Sequence, residues 1–185
     1  MRRYAMAASL ALMVSFAQSM QATVARAVSF DEKVESAETI VLGRCIRQHS
    51  ALDPSGRWIV TYSTFQVSKT YKGNAVSEVT VVTPGGELHG LHQETIGVPT
   101  FSEGDLNVIF IRGSKQMGPT VLYMDQGAYR VFEQGNGQIV APVESGLVLM
   151  DPQTGKALSN HDEGARSLSE FERQLSRRIG GEVNR

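Results

Sequence analysis

The chain of 185 residues is 41% hydrophobic and 20% charged, with 18 Lys and Arg against 19 Asp and Glu. That length suits a single domain with one core. The near-neutral balance, without extended basic clusters, argues against nucleic acid as a partner, because phosphate neutralisation supplies most of that affinity.

The first 27 residues carry a targeting pattern. Arg2 and Arg3 form a positive start, a run of apolar, helix-forming residues extends from Ala5 to Ala17, and no acid precedes Asp31. Ala25-Arg26-Ala27 then places small residues at the two positions that a signal peptidase reads. The pattern predicts a secretory signal peptide over residues 1–27, cleaved after Ala27. The apolar run falls short of the roughly 20 residues that a transmembrane helix needs, and no later run reaches that length. The expected product is a soluble periplasmic or extracellular protein of 158 residues beginning at Val28, with no membrane attachment. Its net charge becomes about −4, since Arg2, Arg3 and Arg26 leave and no acid does.

Cys45 is the only cysteine, so no intramolecular disulfide forms. It sits in the apolar segment Ile40-Val41-Leu42-Gly43-Arg44-Cys45-Ile46, with no His or Lys beside it to lower its pKa. A buried, inert thiol is expected. Its distance from the cleavage site also excludes it as a lipidated first residue.

In chain order, residues 29–38 read as a short helix: Ser29 and Glu32 make a capping box, and Phe30, Val34 and Ala37 repeat at helical spacing. The acids Asp31, Glu32, Glu35 and Glu38 read as its solvated side. Thr39–Gln48 and Arg57–Tyr71 are rich in β-branched and aromatic residues and are joined by Asp53-Pro54-Ser55-Gly56, which matches the residue preferences of a type I turn. Apolar groups on both faces of the second arm predict cover on both sides over part of its length. Glu78–Thr83 is a third strand, ending at Pro84-Gly85-Gly86. Residues 85–104 read as a long loop or irregular hairpin. Asp105–Arg112, almost continuously apolar, suits a central buried strand.

Shorter strands follow at Val121–Met124, Ala128–Glu133 and Gln138–Ala141, the last two joined by Gly135-Asn136-Gly137. Leu147–Met150 pairs with Lys156–Leu158 in this reading. After a polar linker, Ser167 and Glu170 repeat the capping box, and Leu168, Phe171, Leu175 and Ile179 form a helical stripe. Arg177 and Arg178 then complement the helix dipole in the last turn, and Gly180-Gly181 is expected to end the helix. The expected organisation is a signal peptide (1–27), a β-rich domain (28–159), and a linker with a C-terminal helix (160–185). Its fold class is mainly β: a small antiparallel, OB-like barrel or a curled sheet, with a β-sandwich as the alternative.

The residues offer little reaction chemistry. His89-Gly90-Leu91-His92 is the one candidate for a metal site, flanked by Glu87 and Glu94. A zinc site needs three or four converging ligands, so His89 and His92 would need a third, such as His49 or His161. On a strand, positions three apart point to opposite faces, and a solvated loop pair is the competing reading. No Gly-x-Ser-x-Gly elbow and no phosphate-loop spacing occurs. No catalytic residue and no cofactor is expected. The residues therefore favour a non-catalytic interaction module over a small-molecule or glycan binder that stacks its ligand on Trp58 or Tyr62. A metal-dependent enzyme using His89 and His92 ranks last. In the module reading the partner is met by the loop from Gly85 to Gly104, with or without the Asp53–Gly56 turn, and with Leu88, Leu91, Ile96 and Phe101 as apolar anchors. The competing role for Ile96, Val98 and Phe101 is to fold back over one end of the sheet.

Several segments in order carry a resemblance. They are Ala37-Glu38-Thr39-Ile40-Val41-Leu42-Gly43, Asp53-Pro54-Ser55-Gly56, Thr61–Val67 running to Tyr71-Lys72-Gly73, and Pro84-Gly85-Gly86. Gly97–Phe101, Glu103-Gly104-Asp105 and Asp125–Val131 complete the order. Over roughly residues 30–135 the chain resembles a group of uncharacterised exported bacterial proteins. That resemblance brings no catalytic residues. More distantly the chain resembles the netrin-like, OB-type domain of tissue inhibitors of metalloproteinases, in the helix-to-strand segment and the long strand ending in Lys-Gly. By that analogy alone an exported protein such as a protease is a partner. The inhibitors' zinc-chelating N-terminal cysteine has no counterpart here, because Cys45 is internal.

Overall fold

The computed structural model describes residues 23–158 and 164–183. The positive start and apolar run of the targeting segment, and residues 160–163 of the linker with His161, lie outside them. Along the chain come β1 (Val24–Arg26), α1 (Phe30–Ser36), β2 (Thr39–Leu52), β3 (Ile59–Lys72) and β4 (Glu78–Pro84). The small hairpin β5 (Gly86–Leu88) and β6 (Leu91–Gln93) precedes β7 (Leu106–Ser114) and β8 (Gly118–Val121). A 3-10 turn at Met124–Gly127 leads into β9 (Ala128–Gln134) and β10 (Gly137–Pro142). Last are β11 (Val148–Met150), β12 (Ala157–Leu158), β13 (Arg166–Ser167) and α2 (Leu168–Val183).

The fold is mainly β, with one short helix near the start and one longer helix at the end. The principal sheet runs β13-β10-β9-β7-β2-β3-β4, with β8 also on β7, and every pairing in it is antiparallel. β4 lies alongside β8, but no sheet closes into a barrel. The long β2–β3 pair shifts register at Ile40/Val41, Leu42/Gly43 and Cys45/Arg47. Such bulges bend a strand and increase its twist, so fourteen-residue strands curl instead of running straight.

Both faces of this sheet are covered, and the alternation of side chains along β2 and β7 divides them. Ile40, Leu42, Val108 and Phe110 point to the face that packs on α1 and α2. There Phe171 meets Phe30 and Tyr129 edge-on at ring distances of 5.3 and 5.0 Å. Val41, Cys45, Ile109 and Ile111 point to the other face, against Phe65, Val81 and Phe101. The uninterrupted apolar run of β7 is therefore that of a strand buried on both sides. Each fully buried side chain of this size contributes about 1.5–3 kcal/mol of transfer free energy.

Both expected caps form through the serine side chain: Glu32 N donates to Ser29 Oγ and Glu170 N to Ser167 Oγ, each at 3.2 Å. Two local expectations fail. Gly180-Gly181 does not stop α2, which runs to Val183, so Arg177 and Arg178 lie short of its last turn. Glycine costs a helix only about 1 kcal/mol per residue relative to alanine, too little to break a helix whose Leu168, Phe171 and Leu175 are buried. The strand expected at Val121–Met124 instead ends at Val121, because Tyr123 and Met124 take positive φ of 55° and 63°, which a strand excludes. The first helix forms with Phe30, Val34 and Ala37 buried, and it buries one further residue. Lys33 is buried on α1, with 2% exposure, and its Nζ donates to the Tyr129 hydroxyl at 2.5 Å. Cys45 is buried as expected.

Candidate functional site

The end of the sheet where β2 turns into β3 is organised by Asp53. Gly56 N donates to Asp53 O at 2.8 Å, which closes the expected turn with Pro at its second and Gly at its fourth position. The carboxylate then fastens the far side. Asp53 Oδ2 accepts from Ser55 Oγ at 2.6 Å, and Oδ1 from Arg57 N and Trp58 N at 2.9 Å each. The Ser55 hydroxyl and these amides hold its pKa well below the usual carboxylate range. The result is a rigid tip that presents Trp58 and Leu52 at 59% and 51% exposure.

The segment from Gly85 to Gly104, expected as a loop or irregular hairpin, is a two-stranded hairpin followed by a pinned loop. Leu88 pairs with Leu91, Glu87 with His92 and Gly86 with Gln93. His89 and Gly90 form the two-residue turn, with φ of 52° and 77°, the left-handed pair that a type I′ turn requires. Gly85 N donates to Ile59 O at 2.8 Å and Ile59 N donates to Gln93 Oε1 at 3.1 Å, so the hairpin is tied to the backbone beside Trp58. Gly86 lies flat on the Ser50–Thr61 pair: a Cβ there would fall 2.5 Å from Ser50 Oγ and 2.4 Å from Thr61 Oγ1.

From that contact the register continues outward. Ser50 opposes Thr61 and Leu52 opposes Ile59, while on the hairpin Leu88 opposes Leu91, two residues on from Gly86 and Gln93. Side chains two apart on a strand share a face. Leu52 and Ile59 therefore share the sheet face on which Gly86 sits, and Leu88 and Leu91 share the hairpin face turned to it. Ile59 is buried, Leu88 is half-buried, and Leu52 and Leu91, the latter 68% exposed, stand open to solvent. These four side chains make up what we call the apolar notch, and exposed Trp58 is the residue next to Ile59 in the chain.

Beyond the hairpin, Gly97 N donates to Ser145 O at 3.2 Å and Asp125 N to Gly97 O at 2.9 Å. Gly104 N donates to Cys45 O at 2.8 Å. These bonds hold the loop over an open cleft of about 790 Å³ lined by His49, Ser50, Thr83, His92, Glu94 and Thr100 among others. The lining can hydrogen-bond a polar ligand. His49 stacks on Tyr62 at a ring distance of 5.0 Å and 10°, and neither Trp58 nor Tyr62 lines the cleft.

The residues singled out in the sequence thus separate. Leu88 and Leu91 meet in the notch. Ile96 is 40% exposed, on the loop at the edge of the cleft. Phe101 is corrected from anchor to core, with 7% exposure and its ring edge-on to Phe65 at 5.0 Å. Val98 is half-buried. His92 borders the same cleft as His49, while His89 sits exposed in the hairpin turn. Among the described residues no group of three or more His, Cys, Asp or Glu is arranged to hold a metal ion. The notch residues that the sequence reading missed are Leu52 and Ile59, and the signal for them was their position opposite each other across the Asp53–Gly56 turn. Among the described residues no helix is long and apolar enough to cross a membrane. No protein-family model matches this chain, and comparison with curated proteins returns no match.

Proposed function

We propose that this chain is an exported, non-catalytic interaction module, released by cleavage after Ala27, that grips a partner protein with its paired hairpin tips. The observation that carries the reading is the notch: exposed Leu52, Trp58 and Leu91 on two rigidly fastened turns, around buried Ile59. Exposed aromatic and aliphatic groups on a preorganised frame are what interface anchors need, since little ordering entropy opposes their burial. Cys45 fits this reading as an inert thiol, because it is buried and burial pushes its pKa up from the ordinary value. Strands β2, β3, β4, β8 and β7, in that spatial order, are consistent with an OB-like circuit left open along the β4–β8 seam. That arrangement fits the resemblance to inhibitor domains and to exported bacterial proteins, and makes an exported protease the first partner to try. The hydroxyl-lined cleft favours a polar small molecule or glycan as the second reading.

The test is capture of periplasmic partners by wild type, Leu91→Asp, Trp58→Ala and Phe132→Ala. Phe132 is 42% exposed on β9, away from both tips. A partner lost from the first two variants and kept by the third supports the reading. A partner set unchanged by Leu91→Asp and Trp58→Ala sinks it.

A further inference from the structure

Strand β1 occupies an unusual place, because it lies across the expected cleavage site. It pairs in parallel with β11, Val24 with Val148, Ala25 with Leu149 and Arg26 with Met150. Val148 N donates to Thr23 O at 3.0 Å and Ala27 N to Met150 O at 2.9 Å. Gln126 Nε2 donates to Arg26 O at 3.2 Å. The Arg26 guanidinium forks onto both oxygens of Glu32, at 3.0 and 2.6 Å. Beside this strand lies a cavity of about 390 Å³, walled by Val28, Val143, Leu149 and Leu158 and reached by the buried Lys33 and Asp125. The seat is thus specified by backbone pairing, one carboxylate and one carboxamide, and Val24, itself 59% exposed, adds little.

We propose that cleavage after Ala27 opens this seat as a docking site for an extended segment of a partner protein, carrying an Arg or Lys where Arg26 now sits. The inference rests on the cleavage reading above and concerns a surface separate from the notch. Cleavage removes the strand that satisfies the outer edge of β11 and the cation that faces Glu32. An open edge with unpaired backbone groups readily accepts another strand, and strand addition takes its affinity from main-chain bonds and its selectivity from side-chain sites. Glu32 supplies that selectivity, for a cation. Val28 N keeps its bond to Gln126 Oε1, at 2.9 Å, which holds the end of the groove in place once the preceding residues have gone.

The experiment uses protein exported by its own leader, with its start at Val28 checked by intact mass. The probe is a fluorescent peptide of residues 22–27, Ala-Thr-Val-Ala-Arg-Ala, followed by anisotropy. Saturable binding is expected. It should weaken about fivefold for the Arg26→Ala peptide and equally for Glu32→Gln protein, with no further loss when both are combined. Absence of saturable binding into the millimolar range overturns the proposal, as does binding indifferent to both substitutions. A dimer formed through this edge that the peptide cannot disrupt assigns the edge to a second copy and overturns the partner. A mature mass that still contains residues 24–26 defeats the cleavage reading and this inference together, and leaves the notch untouched.

Discussion

Replacing Gly86 by alanine should release the β5–β6 hairpin without unfolding the domain. Gly86 has φ of 136°, where an L-residue is strained by roughly 1–3 kcal/mol. Its Cβ would fall 2.4 Å from Thr61 Oγ1 and 2.5 Å from Ser50 Oγ, and overpacking of that kind costs about 1–3 kcal/mol more. Against this, the hairpin is docked by few bonds, among them Gly85 N to Ile59 O, Ile59 N to Gln93 Oε1 and Thr61 Oγ1 to Gly85 O. At about 1 kcal/mol net each, they hold roughly 3 kcal/mol. The strain matches or exceeds the docking energy, so the hairpin lifts off and the two cores stay packed. Hydrogen exchange is the assay. Amides of Ile59, Gly85 and residues 86–93 should lose at least about 30-fold in protection, the equivalent of about 2 kcal/mol, while the global denaturation midpoint moves little. In a Ser50→Ala, Thr61→Ala background, which removes both clashing hydroxyls, the same substitution should cost only the backbone strain. Unchanged exchange in the hairpin after Gly86→Ala would refute the seating argument.

Phe101→Ala should cost about 3–5 kcal/mol of stability, read by chemical denaturation, and leave partner capture per folded molecule unchanged. Asp125 is buried with 2% exposure, and burial pushes its pKa up despite the bond from Ser145 Oγ. The folded state therefore holds this proton more tightly than the unfolded chain. The associated stability is present below the ordinary Asp value and is lost as pH rises through the raised one. Melting of wild type relative to Asp125→Asn should accordingly worsen as pH rises above the ordinary Asp value of about 4; a constant difference would disprove the shift. Cys45, with 1% exposure, should react with a thiol reagent far more slowly in native protein than in urea, and equal rates would show that the strand opens.

What was legible in the sequence was what neighbouring residues decide. Ser29 with Glu32, Ser167 with Glu170, and Asp53-Pro54-Ser55-Gly56 announced two caps and a turn because each satisfies its own backbone. The run in β7 announced burial on both faces because no polar face was left to show. The β5–β6 hairpin was harder to see. Its strands have three residues each, and its turn uses His89-Gly90 where Asn-Gly would have signalled type I′. The notch was invisible for a different reason: only the register of two separate hairpins puts Leu52 and Leu91 on faces turned to each other. Nothing local in the sequence marks Lys33 for burial, because the Tyr129 hydroxyl that partners it lies 96 residues away. β1 was hidden inside a segment whose composition already had a targeting explanation.

The contact of Phe30 with Phe171 joins the first helix to the last, and this sets a temporal order on the molecule. Phe30 is made well before the ring that covers it, which arrives only with α2. A nascent chain stopped before Leu168 has its sheet and no helix to close that face over Phe30, Phe110 and Tyr129. Folding of this face therefore cannot reach completion until α2 has been made. Until α2 docks, the rings of Phe30, Phe110 and Tyr129 lack the Phe171 edge that closes them into one aromatic cluster.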